Sequence, residues 1–139
     1  MKKLPLCLTA VICFSLLNVA SADPITDCRT RMDGEQYREA LPFCQEACNL
    51  NDALACEGMG YLYYKGKGVK QDIQKGIMYY KKACNLKDRI GCFILGDIYE
   101  NAKGVSQSFQ TAKEYYGKAC DLGNETGCLA YQVLNEKGY

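Results

Sequence analysis

Residues 53–88, ALACEGMGYLYYKGKGVKQDIQKGIMYYKKACNLKD, and residues 89–124, RIGCFILGDIYENAKGVSQSFQTAKEYYGKACDLGN, are one pattern written twice. Cys48, Cys84 and Cys120 are spaced by 36 residues, and so are Cys56, Cys92 and Cys128. Gly60 returns as Gly96, Gly68-Val69 as Gly104-Val105, and Tyr79-Tyr80 as Tyr115-Tyr116. The second half of the unit is foreshadowed by REALPFCQEACNLND (residues 38–52), and the first half comes back as ETGCLAYQVLNEKGY (residues 125–139). A period of this length is filled by a helix–turn–helix, and tandem copies mark an α-solenoid, in which no unit buries its apolar face alone. The expected fold is all-α and forms one domain over 23–139. It has a partial repeat or cap over 23–52, repeats over 53–88 and 89–124, and a half repeat over 125–139.

Within the first full unit, helix A spans about Ala53–Tyr64, and helix B spans Asp72–Asn85 with Asp72 as its N-cap. The second unit gives Ile90–Asn101, then Ser108–Leu122 capped by Ser108, and Thr126–Lys137 is a third helix A. Upstream, Pro24–Met32 is helical and stopped by Asp33-Gly34. Glu35–Leu50 follows, with Pro42 expected to kink it or force a restart. Met59, Leu62 and Tyr63 face neighbouring helices, Tyr63, Tyr80, Tyr99 and Tyr116 are expected in the core, and Gly60 marks a close crossing, since a mid-helix glycine otherwise costs about 1 kcal/mol. Helix B carries Ile73, Ile77, Tyr80 and Cys84 on an i, i+4 stripe. The apolar residues of the last helix, Leu129, Tyr131, Val133 and Leu134, are expected to lie uncovered.

Lys2-Lys3, the apolar run Leu4–Ala20 and the small-residue close Ala20-Ser21-Ala22 read as a secretory signal peptide over 1–22, cut before Asp23. Cleavage there leaves 117 residues and shifts the formal charge from +1 to about −1. No basic footprint for nucleic acid remains at the level of the whole chain. Locally, residues 65–82 hold six lysines and one acid, Asp72, read as a solvated turn and outer helix face. An exported chain of this size has a marginal core and is often stapled by disulfides.

Eight cysteines follow residue 22: Cys28, Cys44, Cys48, Cys56, Cys84, Cys92, Cys120 and Cys128. The repeat selects one pairing among the many that eight allow. Cys48–Cys56, Cys84–Cys92 and Cys120–Cys128 share a separation of eight and enclose a helix end, a turn and a helix start, which leaves Cys28 and Cys44 to each other. Each short bridge closes a loop worth roughly 2.5 kcal/mol on the chain-entropy model. The sequence has no histidine and no C-x-x-C, so neither zinc nor thiol redox chemistry is expected. No cofactor is called for.

The motif Gly60-Tyr61-Leu62-Tyr63-Tyr64-Lys65-Gly66-Lys67-Gly68-Val69, followed by Tyr79-Tyr80-Lys81-Lys82-Ala83-Cys84, resembles the Sel-one-like repeat (SLR), a relative of the tetratricopeptide repeat. The cysteine at the end of helix B and its mate eight residues on resemble the disulfide-bridged subgroup, the Helicobacter cysteine-rich proteins. The resemblance covers nearly all of 35–139. Asn101-Ala102-Lys103-Gly104 departs from it by losing one glycine, and Gln132 replaces Gly60 in the last unit. The resemblance implies a right-handed α/α solenoid with A helices on the concave side and B helices on the convex side. It implies an adaptor or binder, in some exported bacterial members one that engages host proteins. For the cysteine-rich subgroup it also implies weak β-lactam binding or hydrolysis.

An enzyme is not expected from the residues. Without histidine no Ser-His or Cys-His pair can form. Ser106 and Ser108 are the only serines after residue 22, and neither begins Ser-x-x-Lys, the serine β-lactamase signature. Once core positions are set aside, helix A leaves a stripe at i, i+4, i+7. It reads Glu57, Tyr61, Tyr64, then Phe93, Asp97, Glu100, then Leu129, Val133, Glu136. Aromatics among carboxylates suit a protein-binding groove, so the first six are the candidate partner-binding residues. The partner expected is a host or cell-envelope protein, and the location periplasmic or secreted. Self-association through the last helix is the third expectation.

Overall fold

The computed structural model describes residues 23–139, so the signal peptide expected over 1–22 lies outside the described residues. Seven α-helices and no strands occur among them: α1 Pro24–Asp33, α2 Tyr37–Asn49, α3 Ala53–Lys65, α4 Ile73–Asn85, α5 Arg89–Glu100, α6 Phe109–Asp121 and α7 Glu125–Glu136. The chain packs as successive hairpins, α1 on α2, α3 on α4 and α5 on α6, with α7 closing against α6.

Helix starts repeat with the period. Asp52, Asp88 and Asn124 cap α3, α5 and α7 by accepting from the backbone N–H three residues on. Asp72 and Ser108 do the same for α4 and α6. These bonds satisfy amides that a helix leaves unpaired at its start. Gln71 and Gln107 donate to the carbonyls of Tyr64 and Glu100, closing the ends of α3 and α5. Pro42 does not restart α2, which is one uninterrupted helix. It sits in the second turn, where its missing N–H forfeits a single bond, to the Arg38 carbonyl.

Gly60 and Gly96 are points of close approach within the second and third hairpins. A Cβ on Gly60 would lie 2.6 Å from the Tyr80 ring, and Gly96 is crowded in the same way by Tyr116. Tyr80 and Tyr116 are buried, as are Ala47, Ala83 and Ala119, another 36-residue series. One period before Tyr80 stands Cys44, bonded to Cys28. The first hairpin thus holds a disulfide where the later two hold a ring over a glycine. The other bridges are Cys48–Cys56, Cys84–Cys92 and Cys120–Cys128, the pairs the period selects. Each crosses the three-residue turn between one hairpin and the next helix.

Three expectations about the core need correction. Leu134 is 1% exposed, packed with Ala112 and Tyr116, because it points back onto α6. Leu129, Tyr131 and Val133 are the uncovered residues of α7. Tyr63 and Tyr99 are only half-buried. They stack on Tyr79 and Tyr115 at 5.8 and 5.7 Å. Lys75 lies 4.1 Å above the Tyr63 ring, and Lys81 lies 5.8 Å from that of Tyr99. Ile73, at the edge of α4, is partly exposed and abuts Gly104 of the following turn.

Gly66 ends α3 in the left-handed region (φ +67°), and its counterpart Ala102 adopts φ +53° in spite of its Cβ. Replacing Ala102 by glycine relieves that strain and should stabilise the protein by about 0.5–1 kcal/mol in chemical denaturation. Gly96→Ala should cost about 1–3 kcal/mol, because the added methyl must displace the buried Tyr116 ring. Equal midpoints for Gly96→Ala and the parent would refute this packing account.

Candidate functional site

The i, i+4, i+7 stripe resolves into two clefts and two packing residues. Tyr61 and Tyr64 of α3 and Asp97 of α5 line one cleft of about 320 Å³, together with Ile94, Lys65 and Lys103. Tyr61 is half-buried and tilts against Tyr37 at 6.1 Å. Tyr64 meets Tyr80 edge-on at 5.9 Å and donates its hydroxyl hydrogen to the Lys103 carbonyl at 3.3 Å. That bond ties α3 to the turn after α5. Its backbone is pressed against Gly76 of α4, which fixes the ring direction. Burial raises the Tyr64 hydroxyl above its ordinary pKa.

Asp97 accepts from Lys103 Nζ at 2.7 Å and from Asn101 Nδ2 at 2.8 Å. The pair is substantially exposed, worth only tenths of a kcal/mol, and shapes the cleft rim more than it stabilises the fold. Lys65 Nζ lies 5.7 Å from the Tyr64 ring centroid. The cleft therefore has an aromatic and aliphatic floor, one carboxylate and two ammonium groups at its edge. An arrangement of this kind can accommodate a side chain of another molecule, since aromatic rings supply area and the rim supplies orientation.

Phe93 and Glu100 are not brought to this cleft. Phe93 lies between two core clusters, 5.5 Å from the Tyr116 ring. Glu100 Oε2 accepts from the Tyr116 hydroxyl at 2.7 Å. Burial, reinforced by this bond and the carboxylate charge, raises the Tyr116 pKa. Glu57 lines a different cleft, about 260 Å³, between α1 and α3. Burial, and secondarily the charge of Asp88, pushes its carboxyl up to about 7. Ile94, Lys65 and Lys103 were missed in the sequence stripe; Lys103 follows Asp97 closely enough for a turn to fold it back. Leu54 and Ile90, both partly exposed and 36 residues apart, were signalled by the period alone.

Ser108 is committed to capping, its Oγ accepting from the Thr111 amide at 3.1 Å. No group of three or more potential metal ligands occurs among the described residues, and no helix there is long and apolar enough to cross a membrane.

A stack of helical hairpins with a lined cleft between successive first helices defines a solenoid scaffold of the protein-interaction type. The chain belongs to the Sel1 repeat family, whose model matches residues 53–88 and 90–124. It is similar to Helicobacter pylori cysteine rich protein B, with 40% identity and a TM-score of 0.63 over 65% of this chain and 68% of that one. It is also similar to a protective antigen with an SLR fold, c5321, present in uropathogenic Escherichia coli strains. There the identity is 26% and the TM-score 0.74, over 84% of this chain and 26% of that one. A Sel1 repeat protein from Oxalobacter formigenes shares the fold at 23% identity and a TM-score of 0.76, over 91% of this chain and 55% of that one. The chain thus spans about half and about a quarter of the last two proteins in reverse order. No curated protein sequence matches it. Sel1 repeat proteins generally bind proteins.

The raised pKa of Glu57 has a defined sign. A carboxyl that holds its proton more tightly when folded contributes no penalty below its unfolded value near 4.5, and stability then falls as pH rises through about 7. Glu57→Gln should leave stability nearly unchanged at pH 4.5 and raise it by about 1–3 kcal/mol at pH 8. Denaturation of the oxidised protein at both pH values checks this.

Proposed function

We propose that this protein is an exported, non-enzymatic interaction module that captures a host or cell-envelope protein through the concave face of its A helices. The carrying observation is the cleft between α3 and α5, where Tyr61, Tyr64 and Asp97 meet Ile94 without any of these side chains being spent wholly on core packing. The chemistry of this face is apolar and aromatic contact with a charged rim, the composition of binding hot spots. The four disulfides and the likeness to the Helicobacter cysteine rich protein support a location outside the cytoplasm. The signal peptide over 1–22 belongs to this proposal. The non-enzymatic reading is supported by the absence of histidine and the capping role of Ser108.

The structure selects the variant. Phe93→Ala would open a hole beside Tyr116 and confound binding with folding. Tyr61→Ala with Asp97→Lys alters the cleft and its rim instead. Affinity capture from cell-envelope extract and from host secretions should yield a partner, identified by mass spectrometry, held by the parent and lost at least tenfold in the double variant. Circular dichroism of the two proteins should superimpose. A partner retained equally by both would refute the concave-face site. Turnover of a chromogenic β-lactam above that of a boiled control would refute the non-enzymatic reading, and none is expected.

A further inference from the structure

Glu57 is the anomaly of the candidate face. One and two periods on, the same position holds Phe93 and Leu129, so the slot is apolar by design of the repeat. Among the described residues the Glu57 carboxyl accepts no hydrogen bond and joins none of the ion pairs. The cleft it lines is walled by Met32, Leu54 and Ala55 and carries Asp33 and Arg29 of α1. Arg29 is already committed, its Nη2 lying 3.2 Å from Asp52 Oδ2. The other ionisable groups that act on Glu57 are Asp88 at the head of α5, which is 7% exposed, and Tyr80 of α4. Tyr61 follows one turn on along α3. Of the ionisable groups that line the cleft, Glu57 and Asp33 are acids, and the cation, Arg29, is paired with Asp52.

A half-buried carboxylate against an apolar wall without a partner is unfavourable, and an arriving cation offsets the penalty. The shape of the cleft narrows the kind of cation. A bare metal ion would meet an aliphatic wall and too few ligands, since no group of three potential ligands forms among the described residues. A side chain with an alkyl stem and a charged head matches both halves of the lining. Arg29 on Asp52, at the mouth of the same cleft, shows a guanidinium held against a carboxylate on this surface.

We propose that the cleft between α1 and α3 receives a lysine or arginine side chain of an extended polypeptide partner, its stem along Met32 and Leu54 and its cationic head at Glu57. This rests on the concave-face reading and adds its specificity. The Tyr61–Ile94 cleft opens one turn further along α3, between α3 and α5, and neighbouring helices pack about 10 Å apart. Extended chain covers that distance in about three residues at ~3.3 Å each. The partner segment is then a basic residue with an apolar or aromatic residue three positions away. Because the site needs Glu57 ionised, affinity rises between pH 5.5 and 8, while the partner's lysine stays charged throughout.

The test uses two capped peptides, acetyl-Gly-Lys-Ala-Ala-Tyr-Gly-amide and its norleucine-for-lysine analogue, titrated calorimetrically into the oxidised protein at pH 5.5 and 8. The lysine peptide should bind at least tenfold more tightly than its analogue at pH 8, and this preference should shrink at pH 5.5. Glu57→Gln, whose folding is checked by circular dichroism, should erase the preference and its pH dependence. Equal affinity for both peptides, a preference that survives Glu57→Gln, or no binding of the lysine peptide at millimolar concentration would each overturn the proposal. Equal binding that is lost in Tyr61→Ala would overturn it while leaving the concave-face reading in place.

Discussion

The sulfur–sulfur bond across each inter-hairpin turn is the constraint on which the rest of the structure depends. The core at these junctions is made mostly of alanine and cysteine, with Ala47, Cys48, Ala55 and Cys56 at the first and Ala83, Cys84 and Cys92 at the second. Small residues bring helices close but remove little apolar area from water, and area is what stabilises a stack. A bridge between residues eight apart restricts the unfolded chain where the folded chain has least to offer. Within a hairpin the balance is different: a whole tyrosine ring lies over a glycine, burying much more surface per residue. The two devices alternate along the chain.

That alternation sets the working surface. Closely joined hairpins place α1, α3, α5 and α7 side by side, and the gaps between them become clefts rather than packed seams. Turns take part as well: the Lys103 carbonyl and ammonium reach back to Tyr64 and Asp97, so the rim of one repeat is completed by the loop of the next. Chemically distinct clefts follow from substitutions at equivalent positions. Glu57, Phe93 and Leu129 occupy one place in the unit, yet the first places a half-buried acid at a cleft, the second fills core space and the third lies open to solvent.

Most of the fold was legible in the period, because caps, glycines and cysteines recur at fixed intervals and each has a local physical meaning. The hairpin caps Asp72 and Ser108 could be read directly, and Asp52, Asp88 and Asn124 carried the same signal. The site was less legible, since whether a stripe residue binds or packs depends on neighbours distant in sequence. Phe93 shows this: nothing nearby announces that Tyr116 will claim it. Leu134 was misplaced for a related reason, as helical spacing gives a face but not which part of it the preceding helix covers. Pro42 was over-read, because a proline early in a helix loses only one bond.

One property of the disulfide set reaches beyond stability. Numbered from Cys28, the eight cysteines of the described residues pair first with second, third with fourth, fifth with sixth and seventh with eighth. Among the described residues no bond encloses or crosses another. A chain oxidised while it emerges amino end first meets each correct mate before any later thiol competes for it. Vectorial oxidation then reaches the native connectivity without isomerisation, and the pattern can be lengthened by further repeats without adding a single new pairing ambiguity.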